Sequence, residues 1–273
     1  MGRRVRLFVG GALVLVLTWP LVDALDVTLV LRELEGADPS AAAAGVLLGL
    51  VAIAAGGETN RRLLSAAGTL VSPFRFALAY GSATFARSVL PLGNAATPAI
   101  VAYAISSEAD SEYEVGLATA TLSELLQSVA SLTLALAGVV VLVASGAGNE
   151  PGTRVVIVGA LGVAVVVLGA ATLGWYRRGV VTYAAVAVGA LLRGTVGRVS
   201  ERVEQQATGE RIRERLQRFY DTLDVAVADR GALASALGIA LLGWVALGGA
   251  LAASLAAVGA TQGTAVGLVL LVP

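Results

Sequence analysis

The sequence predicts an all-α fold, a polytopic transmembrane helix bundle with a re-entrant, broken helical hairpin and a cytoplasmic amphipathic helix. Three observations predict it. Hydrophobic residues occupy 57% of the 273 positions and charged residues only 14%, against about a quarter charged in a soluble domain. Long uncharged intervals separate the charges. One of these intervals is broken by proline, glycine and asparagine.

The transmembrane helices are predicted from the uncharged intervals, because about 20 helical residues cross a hydrocarbon core. Suitable intervals lie at 7–22, 39–57, 125–149, 155–176 and 231–273. Residues 1–273 are therefore expected to form a single transmembrane domain. Its spans are predicted at about 7–22, 39–57, 113–144, 155–175 and 232–258, with a partial one at 264–273.

The last uncharged interval contains 43 residues, which is too long for one crossing. Gly259, Gln262 and Gly263 favour a turn inside it. Thr264–Pro273 would rise only about 15 Å as a helix. We expect this piece to be the first part of a further helix, and thus the C-terminus to be truncated.

The orientation follows from the positive-inside rule. Arginine pairs at 61–62 and 177–178 place the ends of the second and fourth spans in the cytoplasm. The first loop, 23–38, holds five acids and one arginine, so it is expected outside and the N-terminus is expected to be cytoplasmic. The arginines within residues 3–6, before an apolar run, also fit a secretory signal peptide, which remains an alternative.

The segment after Arg62 must begin and end on the cytoplasmic side. It contains two short apolar pieces that meet at a break between Pro91 and Pro98. Such a break is tolerated at membrane depth where its open backbone is packed in protein or lines a cavity. A re-entrant helical hairpin is therefore predicted over about 72–106.

A cytoplasmic helical segment is predicted over about 179–230. Eight arginines and seven acids fall within residues 193–230. Apolar residues there follow the spacing of one helix face: Ile212, Leu216, Phe219, Tyr220, Leu223 and Val227. We expect this amphipathic helix to dock on the membrane surface or on the bundle.

The composition excludes several kinds of chemistry. The chain has no Cys or His, all 19 of its basic residues are Arg, and its net charge is zero. Thiol nucleophiles, imidazole bases and the usual zinc and haem ligands are therefore absent. No catalytic residue, metal or cofactor is predicted, an enzyme is not favoured, and nucleic acid is not expected as a partner.

A lipid-phosphate site is predicted at the hairpin break. Thr97 before Pro98 is typical of a helix N-terminus, whose free N–H groups attract anions. Arg87 lies on the preceding half-helix, and Asn94 lies in the break. The predicted phosphate-binding residues are thus Arg87, Asn94, Thr97 and Pro98. In the alternative interpretation, Arg87 extends to the interface and the prolines only shape a turn.

A second site is predicted around Glu124, because an intramembrane carboxylate is costly and usually functional. It belongs to a polar stripe on one helix face, formed by Thr121, Glu124, Ser128 and Ser131 with Gln127 at its edge. We expect this face to turn toward Arg87. The hydroxyls alone are equally explained by helix packing.

Two segments resemble a known family. They are TFARSVLPLGNAATPAIVAYAI, from Thr84 to Ile105, and LSELL, from Leu122 to Leu126. Both resemble the flippase-like membrane family that includes the transmembrane part of lysylphosphatidylglycerol synthases. Many bacterial relatives carry an acid and an Arg where this chain has Thr97-Pro98, and a glycine-rich segment of a late helix is missing here.

The resemblance implies a cell-membrane protein that binds and translocates or handles a polar-headed lipid. The headgroup class is an aminoacylated phospholipid or a sugar-linked polyprenyl phosphate. Two alternatives stay open. One is a membrane transferase acting on polyprenyl phosphate, with Glu124 as base. The other is a noncatalytic partner of a separate synthase or glycosyltransferase, docked through residues 193–230.

Overall fold

The computed structural model describes residues 35–90, 96–109, 112–144 and 209–259, and isolated positions between 154 and 172. Within these residues all regular structure is helical, so the all-α prediction is confirmed. The helices are α1 (Pro39–Ala66), α2 (Pro73–Val89), α3 (Thr97–Ala109), α4 (Tyr113–Ala144), α5 (Gly209–Ala228) and α6 (Arg230–Ala257).

Three of the described helices are long and apolar enough to cross a membrane: α1, α4 over Tyr113–Val141, and α6. The chain is therefore a multi-pass helical membrane protein. The spans predicted at 7–22 and 264–273, most of that at 155–175, and residues 179–208 lie outside the described residues.

Helices α1 and α6 form an antiparallel pair that is in contact along its whole length. At one end the Asp38 N–H donates to the Ala257 carbonyl at 2.8 Å. At the other end the Thr59 hydroxyl lies 3.4 Å from the Ala236 carbonyl. A Cβ atom added to Gly243 would lie 2.9 Å from an alanine side chain of α1. Small residues thus let these two backbones approach closely, as they commonly do in membranes.

Helix α1 continues beyond the uncharged interval 39–57 that predicted it. Glu58 and Arg61 form a two-bonded ion pair on the helix surface, with both N–O distances 2.7 Å, so the charges are accommodated without ending the helix. The helix ends instead just before Gly68, whose φ of 91° is the left-handed conformation that favours glycine. The Thr69 N–H then donates to the Leu64 carbonyl at 3.1 Å, as in a Schellman motif.

Helices α2 and α3 are the two arms of a helical hairpin. Pro73 lies in the first turn of α2, where its missing N–H has no intrahelical partner to lose. The hairpin is held to α1 and α4 by one buried cluster: Leu64, Phe76, Tyr80, Ala83, Val101, Ile105 and Ala120. The residues between the arms, 91–95, are outside the described part of the chain.

Helix α5 is the amphipathic helix, and it packs its apolar face on α1, α4 and α6. Its buried Leu223 and Ala226 join a cluster with residues of those three helices: Leu63, Ala118, Leu122 and Ala236. Its Arg215 lies 3.2 Å from Glu114 and its Arg218 lies 3.8 Å from Glu112. The amphipathic helix therefore docks on the bundle through apolar contacts and two ion pairs.

One end of the bundle carries these ion pairs and the Glu58–Arg61–Arg62 group. It comprises the last turns of α1, the first turns of α4 and α6, and α5, and is called the charged end below. Helix α2 starts at this end and α3 returns to it.

Candidate functional site

One face of α2 carries the first part of the candidate site. Phe76, Tyr80 and Ala83 are buried on this face, and Arg87 follows at the helical spacing of four residues. The Phe76 and Tyr80 rings stack with centroids 6.1 Å apart. Because the three buried residues fix the face against α1 and α4, Arg87 is directed along the same side of the helix. It is half-buried.

Helix α4 supplies the opposite wall. Ala120 packs in the cluster that contains Tyr80. Glu124 follows Ala120 by four residues, and Gln127 follows Glu124 by three. Glu124 and Gln127 are both half-buried. Tyr80 lies within electrostatic range of Glu124, and the Tyr80 hydroxyl and Gln127 Oε1 both lie within 4 Å of a Cβ atom added to Gly56 of α1. The stripe predicted on α4 therefore turns at least these two residues toward α2.

Helix α1 closes the third side through two glycines. A Cβ atom on Gly56 would lie 2.8 Å from the Tyr80 hydroxyl oxygen and 3.7 Å from Gln127 Oε1, and one on Gly57 would lie 3.1 Å from the Tyr80 ring. The tyrosine occupies space that any larger residue at these two positions would fill. Its hydroxyl is consequently placed where α1, α2 and α4 meet.

Arg87 and Glu124 lie close enough for their charges to interact. They do not form a direct ion pair, in contrast to the arginine–acid pairs of the charged end. Arg87 lies about 20 Å from the start of α2 and Glu124 about 16 Å from the start of α4, from the rise per residue. The two charges therefore lie partway along the bundle, away from the charged end, with the Tyr80 hydroxyl and Gln127 near them.

Two hydroxyls of the predicted stripe, those of Thr121 and Ser128, have partners within their own helix. The Thr121 hydroxyl donates to the Leu117 carbonyl at 2.7 Å, and that of Ser128 donates to the Glu124 carbonyl at 2.8 Å. Such bonds satisfy a polar side chain locally. Of the predicted stripe, Glu124 and Gln127 are thus the members that the structure brings to Tyr80.

The predicted phosphate residues at the hairpin break are placed differently. The Ile100 N–H donates to the Ala96 carbonyl at 3.0 Å, which makes Ala96 the cap and Thr97 the first residue inside α3. Thr97 is buried, with 3% of its surface exposed, and Pro98 is half-buried. Asn94 lies outside the described residues.

Three polar residues near the site were not predicted from the sequence: Tyr80, Asn60 and Ser123. Tyr80 is spaced seven residues before Arg87, two helical turns along the same face, and that spacing was an available signal. Asn60 and Ser123 are 2% and 1% exposed. The Asn60 Oδ1 and Ser123 Oγ atoms are buried without a hydrogen-bond partner. Asn60 stands next to the arginine pair, and nothing in its sequence context indicates burial.

A separate cleft of about 340 Å³ opens at the charged end. Arg61 and Arg62 line it together with Asp229 and two serines, Ser65 and Ser235. Both arginines bond to Glu58, so their charges are already partly compensated. The Arg87–Glu124 site and this cleft are distinct places in the bundle.

Comparison with known proteins gives one match. Residues 7–273 match the family described as the lysylphosphatidylglycerol synthase TM region. No curated protein and no solved structure matches the chain. The match covers nearly the whole sequence, including the hairpin and the Glu124 helix. The chain therefore belongs to the family of the lysylphosphatidylglycerol synthase transmembrane region.

Proposed function

We propose that this protein binds the phosphate-bearing headgroup of a membrane lipid between α2 and α4, and that it translocates or otherwise handles that lipid. The observation that carries the proposal is that Arg87 and Glu124 interact electrostatically with each other and with Tyr80, whose ring packs on Gly56 and Gly57 of α1. Membership of a family named for a lipid synthase region makes lipid the natural ligand.

The chemistry of the site suits a phosphate. A guanidinium binds phosphate through two parallel hydrogen bonds, which fixes its orientation as well as its charge. An uncompensated charge is costly in a low-dielectric interior. Glu124 balances Arg87 when no lipid is bound, and the phosphate replaces that balance when lipid enters.

The uncharged groups around the pair suit the rest of a headgroup. The Tyr80 hydroxyl and the Gln127 amide each donate and accept hydrogen bonds, so they match hydroxyl or amine substituents next to the phosphate. An aminoacylated phospholipid and a sugar-linked polyprenyl phosphate both carry such substituents. These are the two substrate classes that the proposal includes.

A double-mutant cycle tests the site. Lipid binding to the purified protein in nanodiscs is measured for Arg87→Ala, Glu124→Ala and the double variant, using phosphatidylglycerol as the probe. We expect Arg87→Ala to weaken binding at least about tenfold, in line with loss of a charge-assisted hydrogen bond of about 1.5–3 kcal/mol. The pair should depart from additivity by more than about 0.5 kcal/mol.

The matched control is Arg75→Ala, since Arg75 lies on the same helix and is exposed near its start. It should leave binding unchanged. If the Arg87 and Glu124 effects add within about 0.5 kcal/mol, or if Arg75→Ala weakens binding equally, the two residues do not share a lipid site.

Translocation is tested separately by following a headgroup-labelled lipid across proteoliposome membranes. Transfer that depends on Arg87 supports translocation. Recovery of a covalently modified lipid would instead favour the transferase alternative, with Glu124 as base.

A further inference from the structure

Helices α1 and α4 carry most of the buried polar side chains in the described part of the chain. Five buried polar side chains occur in the described part of the chain, and four of them lie on these two helices: Thr59, Asn60, Thr119 and Ser123. The Thr59 hydroxyl donates to the Ala55 carbonyl at 2.9 Å, and that of Thr119 to the Val115 carbonyl at 3.1 Å. Asn60 Oδ1 and Ser123 Oγ have no partner. A purely structural interface would be expected to avoid such groups, because each is costly when unpaired.

The register of α1 against α4 places Asn60 and Ser123 beside the lipid site, on the side of the charged end. Gly56 of α1 lies opposite Gln127 of α4, whereas Leu64 and Ala120 share one cluster nearer the charged end. The helices are therefore antiparallel here, and Asn60 and Ser123 fall between these two levels. A group leaving Tyr80 and Gln127 toward the charged end meets them next.

Helix α5 covers Asn60 and Ser123 on the side of the charged end. Its Leu223 and Ala226 pack on Leu63 and Leu122, which are three residues and one residue away from Asn60 and Ser123. Two ion pairs, Arg215–Glu114 and Arg218–Glu112, fasten α5 to the start of α4. Both arginines are about half exposed, so water and salt reach these pairs and screening weakens them.

We propose that Asn60 and Ser123 form an inner headgroup-binding site on a passage between the Arg87–Glu124 site and the charged end, and that α5 is the plug of this passage. The inference rests on the proposed function. Asn60 Oδ1 accepts hydrogen bonds and Ser123 Oγ both donates and accepts them, so the matching ligand chemistry is a hydroxyl-bearing headgroup. When α5 moves away, α1 and α4 separate and these two side chains gain the partners that they lack when closed.

Thiol labelling tests the plug, because the natural chain has no cysteine. Ser123→Cys in the full chain is treated with a small maleimide, alone and combined with Glu112→Gln and Glu114→Gln. Labelling should be slow in the Ser123→Cys protein. It should be at least about tenfold faster when Glu112→Gln and Glu114→Gln are added, because the ion pairs that fasten α5 are then lost. High salt applied to Ser123→Cys alone should have the same effect, since the Debye length falls to about 3 Å at about 1 M.

The control is Ala83→Cys, because Ala83 is equally buried at 2% exposure but belongs to the hairpin cluster. Its labelling should stay slow in the Glu112→Gln, Glu114→Gln background. Equal acceleration at both positions would mean general loosening and would overturn the plug. Unchanged labelling of Ser123→Cys in both the variant and high salt would overturn it as well.

Lipid protection tests the inner site. Phosphatidylglycerol, which has headgroup hydroxyls, should slow the labelling of Ser123→Cys in the α5-released protein, whereas phosphatidic acid should not. Equal protection by both lipids would contradict hydroxyl recognition. If lipid binding remains Arg87-dependent while these labelling results fail, the inner site is wrong and the proposed function stands. Lipid binding that does not depend on Arg87 would overturn the proposed function itself.

Discussion

Tyr80 lies where three helices, α1, α2 and α4, pack together. Its ring lies on Gly56 and Gly57 of α1, its neighbours in the cluster hold the hairpin, and its hydroxyl lies beside Gln127 of α4. A small change under this ring therefore alters the site without removing any polar group. That makes the glycines a sensitive probe of whether the arrangement supports lipid binding.

Gly56→Ala should displace the Tyr80 hydroxyl, because the new methyl group would lie 2.8 Å from it. We expect a loss of about 1–3 kcal/mol in stability from overpacking, and weaker lipid binding, measured by thermal unfolding and by the nanodisc assay. Gly49→Ala is the matched control on α1, since nothing lies within 4 Å of a Cβ there. It should be neutral or stabilising, by up to about 1 kcal/mol. A Gly56→Ala protein that binds lipid normally would show that the tyrosine position is irrelevant to the site.

Sequence reasoning predicted Arg87, Glu124 and Gln127 as members of the candidate site, but it did not predict Tyr80 or Asn60. Arg87 and Glu124 stand out because an ionisable group among apolar neighbours needs an explanation. Asn60 and Tyr80 carry no comparable signal, since each also occurs on exposed helix faces. Only the register of α1, α2 and α4 shows that they are buried beside the charges.

At the level of elements, the helix ends are determined by capping residues and ion pairs, and not by the position of the first charged residue. Asp38 caps α1 and accepts two backbone N–H groups of its first turn, and Asp229 caps α6 and accepts one. The predicted end of the second span at residue 57 was set by the first charge, yet α1 extends to Ala66 because Glu58 and Arg61 neutralise each other. Patterning of α5 predicted its apolar face, but the bundle surface that receives that face depends on packing between distant segments.

The Asp38 cap gives a pH-dependent contribution to stability. Hydrogen bonds from the Ser40 hydroxyl and N–H, and from the Ala41 N–H, hold the pKa of Asp38 below its usual range. The folded protein therefore favours the carboxylate. The stabilisation is complete above the unfolded pKa of about 3.9 and is lost as the pH falls through the lower folded value.

Asp38→Asn isolates this effect, because asparagine also caps helices but does not titrate. The melting temperature of the natural protein should exceed that of the variant at neutral pH, and the difference should shrink below about pH 4. Both proteins are unfolded in the same detergent across this range. A difference that stays constant down to about pH 3 would show that the carboxylate charge does not strengthen the cap.

The described helix bundle is polarised along its length. The ion pairs found in the described residues all lie at the charged end, where α1 ends, α4 and α6 begin, and α5 docks. The opposite end is reached by the start of α1 and the end of α6, which meet through the Asp38–Ala257 hydrogen bond. Sequence reasoning predicted that the end of the second span, both ends of the hairpin segment and the helical segment 179–230 share one side, and the described parts of these segments lie at one end of the bundle.

This polarity predicts the membrane topology. Because α2 leaves the charged end and α3 returns to it, Ser107 should face the same side as Asp221 of α5, whereas Glu35 before α1 should face the opposite side. Single cysteines at these three exposed positions are labelled with an impermeant thiol reagent in intact cells and in inverted vesicles. We expect Ser107→Cys and Asp221→Cys to react only from the cytoplasmic face, by the positive-inside rule applied to Arg61 and Arg62, and Glu35→Cys only from outside. If Ser107→Cys reacts together with Glu35→Cys, the α2–α3 segment crosses the membrane once, and Arg87 then lies on a full crossing rather than inside a re-entrant hairpin.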